Sequence, residues 1–178
     1  MPGIWGMGCA SVLGQQLCSN PKLVVLDEPT SSIDVFSQAQ ILELIQNLRE
    51  RFQLTNILIS HDLGVVHALA DRIAIMYLGK IVEIGPADEI FNHPRHPYTK
   101  ALFDSIPTLD KHGMDSLKTL EGQIPSPINP PPGCAFHQRC AYACDKCSEC
   151  FPDPTDLGNG HIVCCHRVHE LAAELDAK

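Results

Sequence analysis

The first sign of chemistry in this chain of 178 residues is a pair of adjacent carboxylates at the end of an apolar run. Leu23-Val24-Val25-Leu26 leads straight into Asp27-Glu28-Pro29-Thr30. Four apolar residues followed by two acids read as a buried parallel strand that delivers carboxylates to its C-terminal edge. In an open α/β sheet that edge is where ligands bind. Metal-assisted phosphoryl transfer divides its labour in this way: one acid holds Mg²⁺, directly or through water, and another group activates or orients the attacking nucleophile. Asp27 is the candidate Mg²⁺-associated acid and Glu28 the candidate general base. Ser31-Ser32-Ile33-Asp34 and Ser60-His61-Asp62 follow, adding Asp34 and His61 to the candidates. Taken singly, each group has an ordinary explanation. An Asp-Glu after a strand usually starts a turn or a helix, and Ser-His-Asp is mostly a surface sequence. The joint pattern, in order, carries the argument.

The elements that must position these groups are legible in outline. Residues 23–26 form the first clear strand. Residues 38–52 read as an amphipathic helix, with Ile41, Leu44, Ile45, Leu48 and Phe52 on one face. Ile57-Leu58-Ile59 is a second short buried strand ending at Ser60-His61, and 63–69 a short helix. The runs 73–77 and 80–85, around Leu78-Gly79, read as a hairpin. Pro86 starts a helix to about Phe91. His93-Pro94-Arg95-His96-Pro97 breaks the pattern, since each proline biases its predecessor away from helix. A helix over 98–105 follows, then a linker over 107–132 whose proline content favours an extended spacer. The tail is helical from His169.

Bulk composition narrows the class. The net charge of −8 argues against nucleic acid as a partner. No stretch approaches the apolar length of a membrane span, and the N-terminus has no basic segment leading into an apolar core. The expectation is a soluble, cytoplasmic chain that meets a membrane only through a partner. Seven of the nine cysteines lie between Cys134 and Cys165, and only Cys9 and Cys18 lie outside. Such clustering in a chain without a signal segment favours metal or cluster ligation over disulfides.

The set Asp27, Glu28, Asp34 and His61 resembles the second half of an ATP-binding-cassette (ABC) ATPase, over residues 20–91. The resemblance implies an α/β fold: the C-terminal half of a P-loop NTPase (ABC-type) nucleotide-binding domain plus a small Cys-rich, loop-rich appendix. Leu23–Glu28 corresponds to the Walker B strand, Ser31–Asp34 to the D-loop, and His61 to the switch histidine of the H-loop. On that reading Glu28 and His61 are catalytic, as general base and γ-phosphate contact. Asp27 and Asp34 bind Mg²⁺ and nucleotide, with Asp34 working across a dimer interface. His96-Pro97-Tyr98-Thr99-Lys100-Ala101-Leu102 is similar to a segment of the oligopeptide and dipeptide importer ATPases, a group that also includes nickel importers. The run 121–131 is similar to the same group, closer to its F-type than its D-type subunit.

Part of that family pattern is absent from the sequence. No Gly-x-x-x-x-Gly-Lys-Ser/Thr occurs, and Leu78-Gly79-Lys80-Ile81 is not one. Without that loop nothing cradles the β- and γ-phosphates. Where the family has its signature, before Asn20-Pro21-Lys22, this chain has Ile4-Trp5-Gly6-Met7-Gly8-Cys9-Ala10. Only Gly6-Met7 survives. Residues 8–12 admit codons that spell Met-Arg-Gln-Arg in a shifted frame, a hint of a frameshift or misplaced start. A Walker B strand that loses its sheet neighbour is an open apolar edge. The chain alone is therefore expected to be marginally stable.

Cys134-x5-Cys140-x6-Cys147-x17-Cys165 resembles the C-terminal module of the same importer ATPases, some of which carry a [4Fe-4S] cluster there. Four thiolates are the usual cluster complement. Zinc, the alternative, prefers pairs two to four residues apart, which Cys144, Cys147 and Cys150 supply. Cys144, Cys150 and Cys164 fall outside the family pattern. His137, His161 and His166 are expected to hydrogen-bond backbone or solvent.

The organisation read from the sequence is 1–22 a degraded signature region, 23–91 a partial ABC ATPase domain, 92–132 the His-Pro-Tyr segment and Pro-rich linker, 133–168 a Cys-rich Fe–S module, and 169–178 a tail. The implied function is the ATP-hydrolysing subunit of a peptide importer, using ATP and Mg²⁺. Its partners are a second ABC ATPase subunit and transmembrane permease subunits at the inner face of the cell membrane. The 178 residues alone are expected to be inactive. Two rival readings are a non-enzymatic truncated remnant and a metal- or Fe–S-binding regulatory module.

Overall fold

The computed structural model describes residues 21–31, 33–105 and 122–176. The signature region at 1–20, with Cys9 and Cys18, and most of the linker lie outside the described residues. The described chain is a mixed helix-and-sheet fold that divides into two compact units, 1–70 and 71–178. The hairpin of Arg72–Tyr77 and Lys80–Pro86 belongs to the C-terminal unit.

In the N-terminal unit, β1 (Leu23–Asp27) pairs in parallel with β2 (Thr55–Ile59), with Leu23 opposite Thr55 and Asp27 opposite Ile59. Their crossover is α1 (Val35–Phe52), and α2 (Leu63–Leu69) follows β2. Val24 and Leu26 on one face of β1 pack with Ile41 and Ile45 of α1 and with Leu54. Each such side chain contributes roughly 1.5–3 kcal/mol through burial. The other face differs from expectation. Leu23, Val25, Ile57 and Ile59 are about half exposed, so neither strand is buried on both sides. α1 begins three residues earlier than its apolar pattern suggests, because Asp34 caps it and the exposed Val35 and Phe36 join it. Arg49 and Arg51 in its last turn complement the helix dipole.

In the C-terminal unit, β3 (Arg72–Tyr77), β4 (Lys80–Pro86), β5 (Thr155–Asp156) and β6 (Ile162–Val163) form an antiparallel sheet in the order β3-β4-β6-β5. The cysteine-rich region thus contributes two strands to the hairpin's sheet. Ile73, Ile75 and Tyr77 alternate inward along β3. A bulge shifts the register between Ile75 and Met76, so two successive β4 residues, Val82 and Glu83, are both buried. α3 (Ala87–Asn92), α4 (Pro97–Asp104), α5 (Asp145–Glu149) and α6 (Ala172–Asp176) complete the described elements, with one 3-10 turn at His137–Arg139. Phe136 is the hub: Tyr77 and Tyr98 each lie 5.3 Å from its ring centroid, and His96 lies 6.0 Å away. Among the described residues, no helix is long and apolar enough to cross a membrane.

Candidate functional site

The C-terminal ends of β1 and β2 bring Glu28 and His61 together. Glu28 continues the ladder by one bond, its N–H donating to the Ile59 carbonyl at 2.9 Å. Its φ of 47° then turns the chain sharply, and its carbonyl accepts from the Ser31 N–H and hydroxyl at 3.1 and 3.0 Å. A side chain other than glycine in this left-handed region carries backbone strain of order 1 kcal/mol or more. The turn leaves the Glu28 carboxylate 2.8 Å from Nδ1 of His61. That hydrogen bond, with the carboxylate charge and a smaller contribution from Asp62, holds the His61 pKa above its ordinary value.

Asp27 and Asp34 stand apart from this pair. By the strand's alternation Asp27 shares the open face of β1 with Leu23 and Val25, and it is exposed. Asp34 is committed locally: its Oδ1 accepts from the N–H groups of Phe36 and Ser37 at 3.1 and 3.0 Å. These bonds, the one from Ser37 first, hold its carboxyl below the usual range. The cap explanation therefore accounts for Asp34 as the isolated chain presents it.

Two residues with no role assigned from the sequence frame His61. Asp62 caps α2 through Oδ1, which accepts from Gly64 and Val65 at 2.9 and 3.2 Å. Its Oδ2 accepts from Gln38 of α1 at 3.1 Å, the first cause of its lowered pKa. Gln46 and Arg49, further along α1, donate to the carbonyls of Ala68 and Leu69 at the far end of α2. α1 thus holds the loop bearing His61 from both ends of the following helix. An aspartate directly before an apolar helical run was the signal for Asp62.

In the C-terminal unit the buried chemistry centres on Glu83, which is fully enclosed. Its carboxylate accepts from the backbone N–H of Arg95 at 2.8 Å and of His96 at 3.1 Å, and pairs with Nε2 of His161 at 2.7 Å. The expectation that His161 meets backbone or solvent is thereby corrected: it reaches a buried acid. Gly85 permits the approach, because a Cβ there would stand 3.1 Å from the imidazole ring. His96 Nδ1 accepts from the Tyr98 N–H and so caps α4, with Pro97 at the first helical position. Burial pushes the His96 pKa down to about 4, although the Glu83 charge opposes this. A charged residue inside the apolar run Ile81-Val82-Glu83-Ile84 was the sequence signal for this network.

Cys134 and Cys147 meet through the backbone at the turn that follows Gly133. The Cys134 N–H donates to the Cys147 carbonyl at 2.8 Å, and Gly133 at φ 70° lies so close that a Cβ would collide with that carbonyl. Burial pushes the Cys140 and Cys165 thiols up to about 11. Cys165, Cys134 and Cys147 add to the effect on Cys140, so the four assigned thiols lie within one another's fields. His137 and His166 meet the backbone as expected, at the carbonyls of Cys134 and Cys150. Among the described residues, no group of three or more His, Cys, Asp or Glu side chains is placed to hold a metal ion. A preassembled zinc cage is therefore not present among them. For Mg²⁺ the donor set is ordinary, since that ion is held by one or two carboxylates with water and phosphate oxygens.

A family profile described as "Oligopeptide/dipeptide transporter, C-terminal region" matches residues 82–147, the stretch from the buried Glu83 strand through the His-Pro-Tyr helix to Cys147. The oligopeptide transport ATP-binding protein AppF of Bacillus subtilis is 44% identical over 156 residues, 86% of this chain and 47% of its own length. The chain is a relative of the oligopeptide and dipeptide transport ATP-binding proteins. The dipeptide transport ATP-binding protein DppF of Escherichia coli is 43% identical over 89% of this chain and 47% of its own length. AppD of B. subtilis is 43% identical over 95% of this chain and 51% of its own length. The chain spans about half the length of the curated relatives it matches. Identities of 44% to AppF and 43% to AppD do not separate an F-type from a D-type subunit.

Proposed function

We propose that this chain carries the C-terminal part of an ATP-hydrolysing subunit of a peptide importer, an ABC-type nucleotide-binding region over 23–91 followed by a cysteine-rich module over 133–168. The observation that carries the reading is the Glu28–His61 pair at the C-terminal edge of two parallel strands. Glu28 orients and deprotonates the attacking water, and His61 meets the γ-phosphate. Asp27, exposed at the strand end, holds Mg²⁺ with water and phosphate oxygens. Asp34 reaches a second ATPase subunit from the start of α1. The phosphate loop comes from sequence outside these 178 residues or from that second subunit. Transmembrane permease subunits at the inner face of the membrane complete the machine, and a peptide is the cargo.

The cysteines Cys134, Cys140, Cys147 and Cys165 are the donor set for a [4Fe-4S] cluster, with zinc as the alternative metal. Their support is chemical: burial raises the Cys140 and Cys165 thiols, and thiolates at desolvated positions need a cationic centre to be stable. Bound there, the cluster supplies a structural or redox centre. Iron and acid-labile sulfide in anaerobically isolated protein test this half of the proposal.

The ATPase half is tested by association. A tagged chain is mixed with a phosphate-loop-bearing ATP-binding subunit, with and without Mg²⁺-ATP. Nucleotide-dependent co-purification is expected, prolonged by Glu28→Gln because turnover stops. Association that ignores nucleotide, or ATP turnover by the 178 residues alone that Glu28→Gln abolishes, overturns this division of labour.

A further inference from the structure

The cluster assignment leaves Cys144, Cys150 and Cys164 without a role. Cys144 is set apart by its neighbour. It stands at the N-cap of α5, and its Sγ lies 3.6 Å from Sγ of Cys147, three residues on. That is a contact between two reduced thiols, since a disulfide requires about 2.0 Å. Both sulfurs lie on one side of a single helical turn, so side-chain rotation brings them into bonding range. Cys144 is half-buried, while Cys147 is buried. Cys150, one turn on, faces elsewhere: its Sγ contacts the Lys146 carbonyl and His166 Nε2 at 3.9 and 3.8 Å.

We propose that Cys144 and Cys147 form a reversible dithiol–disulfide couple, a modification site whose oxidant is a low-molecular-weight disulfide. The proposal rests on the sulfur–sulfur contact and stands apart from the ATPase reading. The Cys144 thiolate attacks one sulfur of the incoming disulfide. A mixed disulfide forms, the external S–S bond breaks, and the departing thiolate takes up the proton that Cys144 released. The Cys147 thiolate then attacks the Cys144 sulfur and expels the second small thiolate, which takes up the second proton. Two electrons and two protons pass from the pair to the external disulfide, and excess small thiol reverses both steps. Cys147 also belongs to the four assigned ligands, and its carbonyl holds the Cys134 N–H. Closing the couple therefore withdraws one ligand from the cluster set. This last consequence alone rests on the cluster assignment.

The test uses the full chain, reduced and stripped with a chelator, then equilibrated across ratios of oxidised to reduced glutathione. Alkylation and peptide mapping by mass spectrometry read which thiols remain. Cys144 and Cys147 are expected to disappear together as one intramolecular bond. The equilibrium constant for closure is expected to be about tenfold above that of the same chain in concentrated guanidinium, a comparison that needs no variant. Cys144→Ser is expected to abolish closure. A glutathione adduct that persists on Cys144, a bond from Cys147 to another cysteine, or an equal constant in guanidinium overturns the couple. Iron and sulfide content are measured separately, so an absent cluster and an absent couple are distinguishable results.

Discussion

Glu28–His61 and Glu83–His161 are the same chemical pair at nearly the same length, 2.8 and 2.7 Å, in opposite surroundings. In the N-terminal unit the His61 side chain is 82% exposed and Glu28 34%, whereas in the C-terminal unit His161 is 6% exposed and Glu83 0%. Glu83 receives two backbone N–H bonds besides its histidine, so all its charge is answered inside the protein. Glu28 stands on a strained residue at a strand end and faces water. An exposed pair contributes little to stability because solvent and salt screen it. A buried pair is costly to break, because removing one partner leaves the others desolvated and unanswered. Geometry alone does not tell a staple from a working group; the surroundings do.

The comparison breaks first at Glu83. Glu83→Ala strands the N–H groups of Arg95 and His96 and the His161 ring, and is expected to destabilise the C-terminal unit by about 3–5 kcal/mol. Glu28→Ala is expected to leave the unfolding midpoint where it was. Denaturant titration combined with amide hydrogen exchange along β3 and β4 reads both. Equal effects from the two substitutions would dissolve the distinction.

The second test uses protons in place of a substitution. His96 has a pKa of about 4 in the fold, against an ordinary value near 6.5. Between those values the unfolded chain binds a proton that the folded chain refuses. Stability therefore falls as pH drops through this window, by about 3 kcal/mol in total. His96→Asn retains a capping acceptor before α4 and is expected to flatten the slope. A wild-type stability curve already flat between pH 6.5 and 4 would remove His96 from the buried network.

A third, smaller effect is expected at the cysteine turn. Gly133→Ala places a methyl group against the Cys147 carbonyl at a left-handed φ, at a cost of about 1–3 kcal/mol. A drop in thermal midpoint, with exchange accelerated around Cys134 and Cys147, is the expected reading. An unchanged midpoint would mean that this turn adapts freely.

The two pairs were unequally legible in the sequence. Glu28 and His61 were readable because each closes an apolar run, and a short parallel strand announces its end by a change of polarity. The hairpin at 72–86 was equally clear in its apolar runs, but its partner strands were not. β5 and β6 are two residues each, too short for any periodicity, and β6 pairs with β4 across about eighty residues of chain. Glu83 was visible as a charge inside a strand, yet its three donors come from residues 95, 96 and 161, which no local pattern connects. The half-exposed face of β1 and β2 ran against expectation because apolar composition reports a tendency to be covered and says nothing of what covers it. The Cys144–Cys147 contact was present as a spacing, and only the fold put a distance on it.

The most delicate test touches no stability at all. Glu28 raises the His61 pKa, chiefly through the hydrogen bond and then through its charge. A raised histidine contributes fully below its unfolded value of about 6.5, and that contribution fades as pH rises through the folded value. Carbon-detected histidine NMR on the full chain is expected to show His61 titrating above the ordinary value. Added salt should draw it downward, since an exposed pair is screened. Glu28→Gln keeps the shape, removes the charge and should lower the His61 pKa toward the ordinary histidine value. His61 titrating at the ordinary value in the unmodified chain would mean that the two groups do not meet in solution, and the paired site at the end of β1 and β2 would lose its carrying observation.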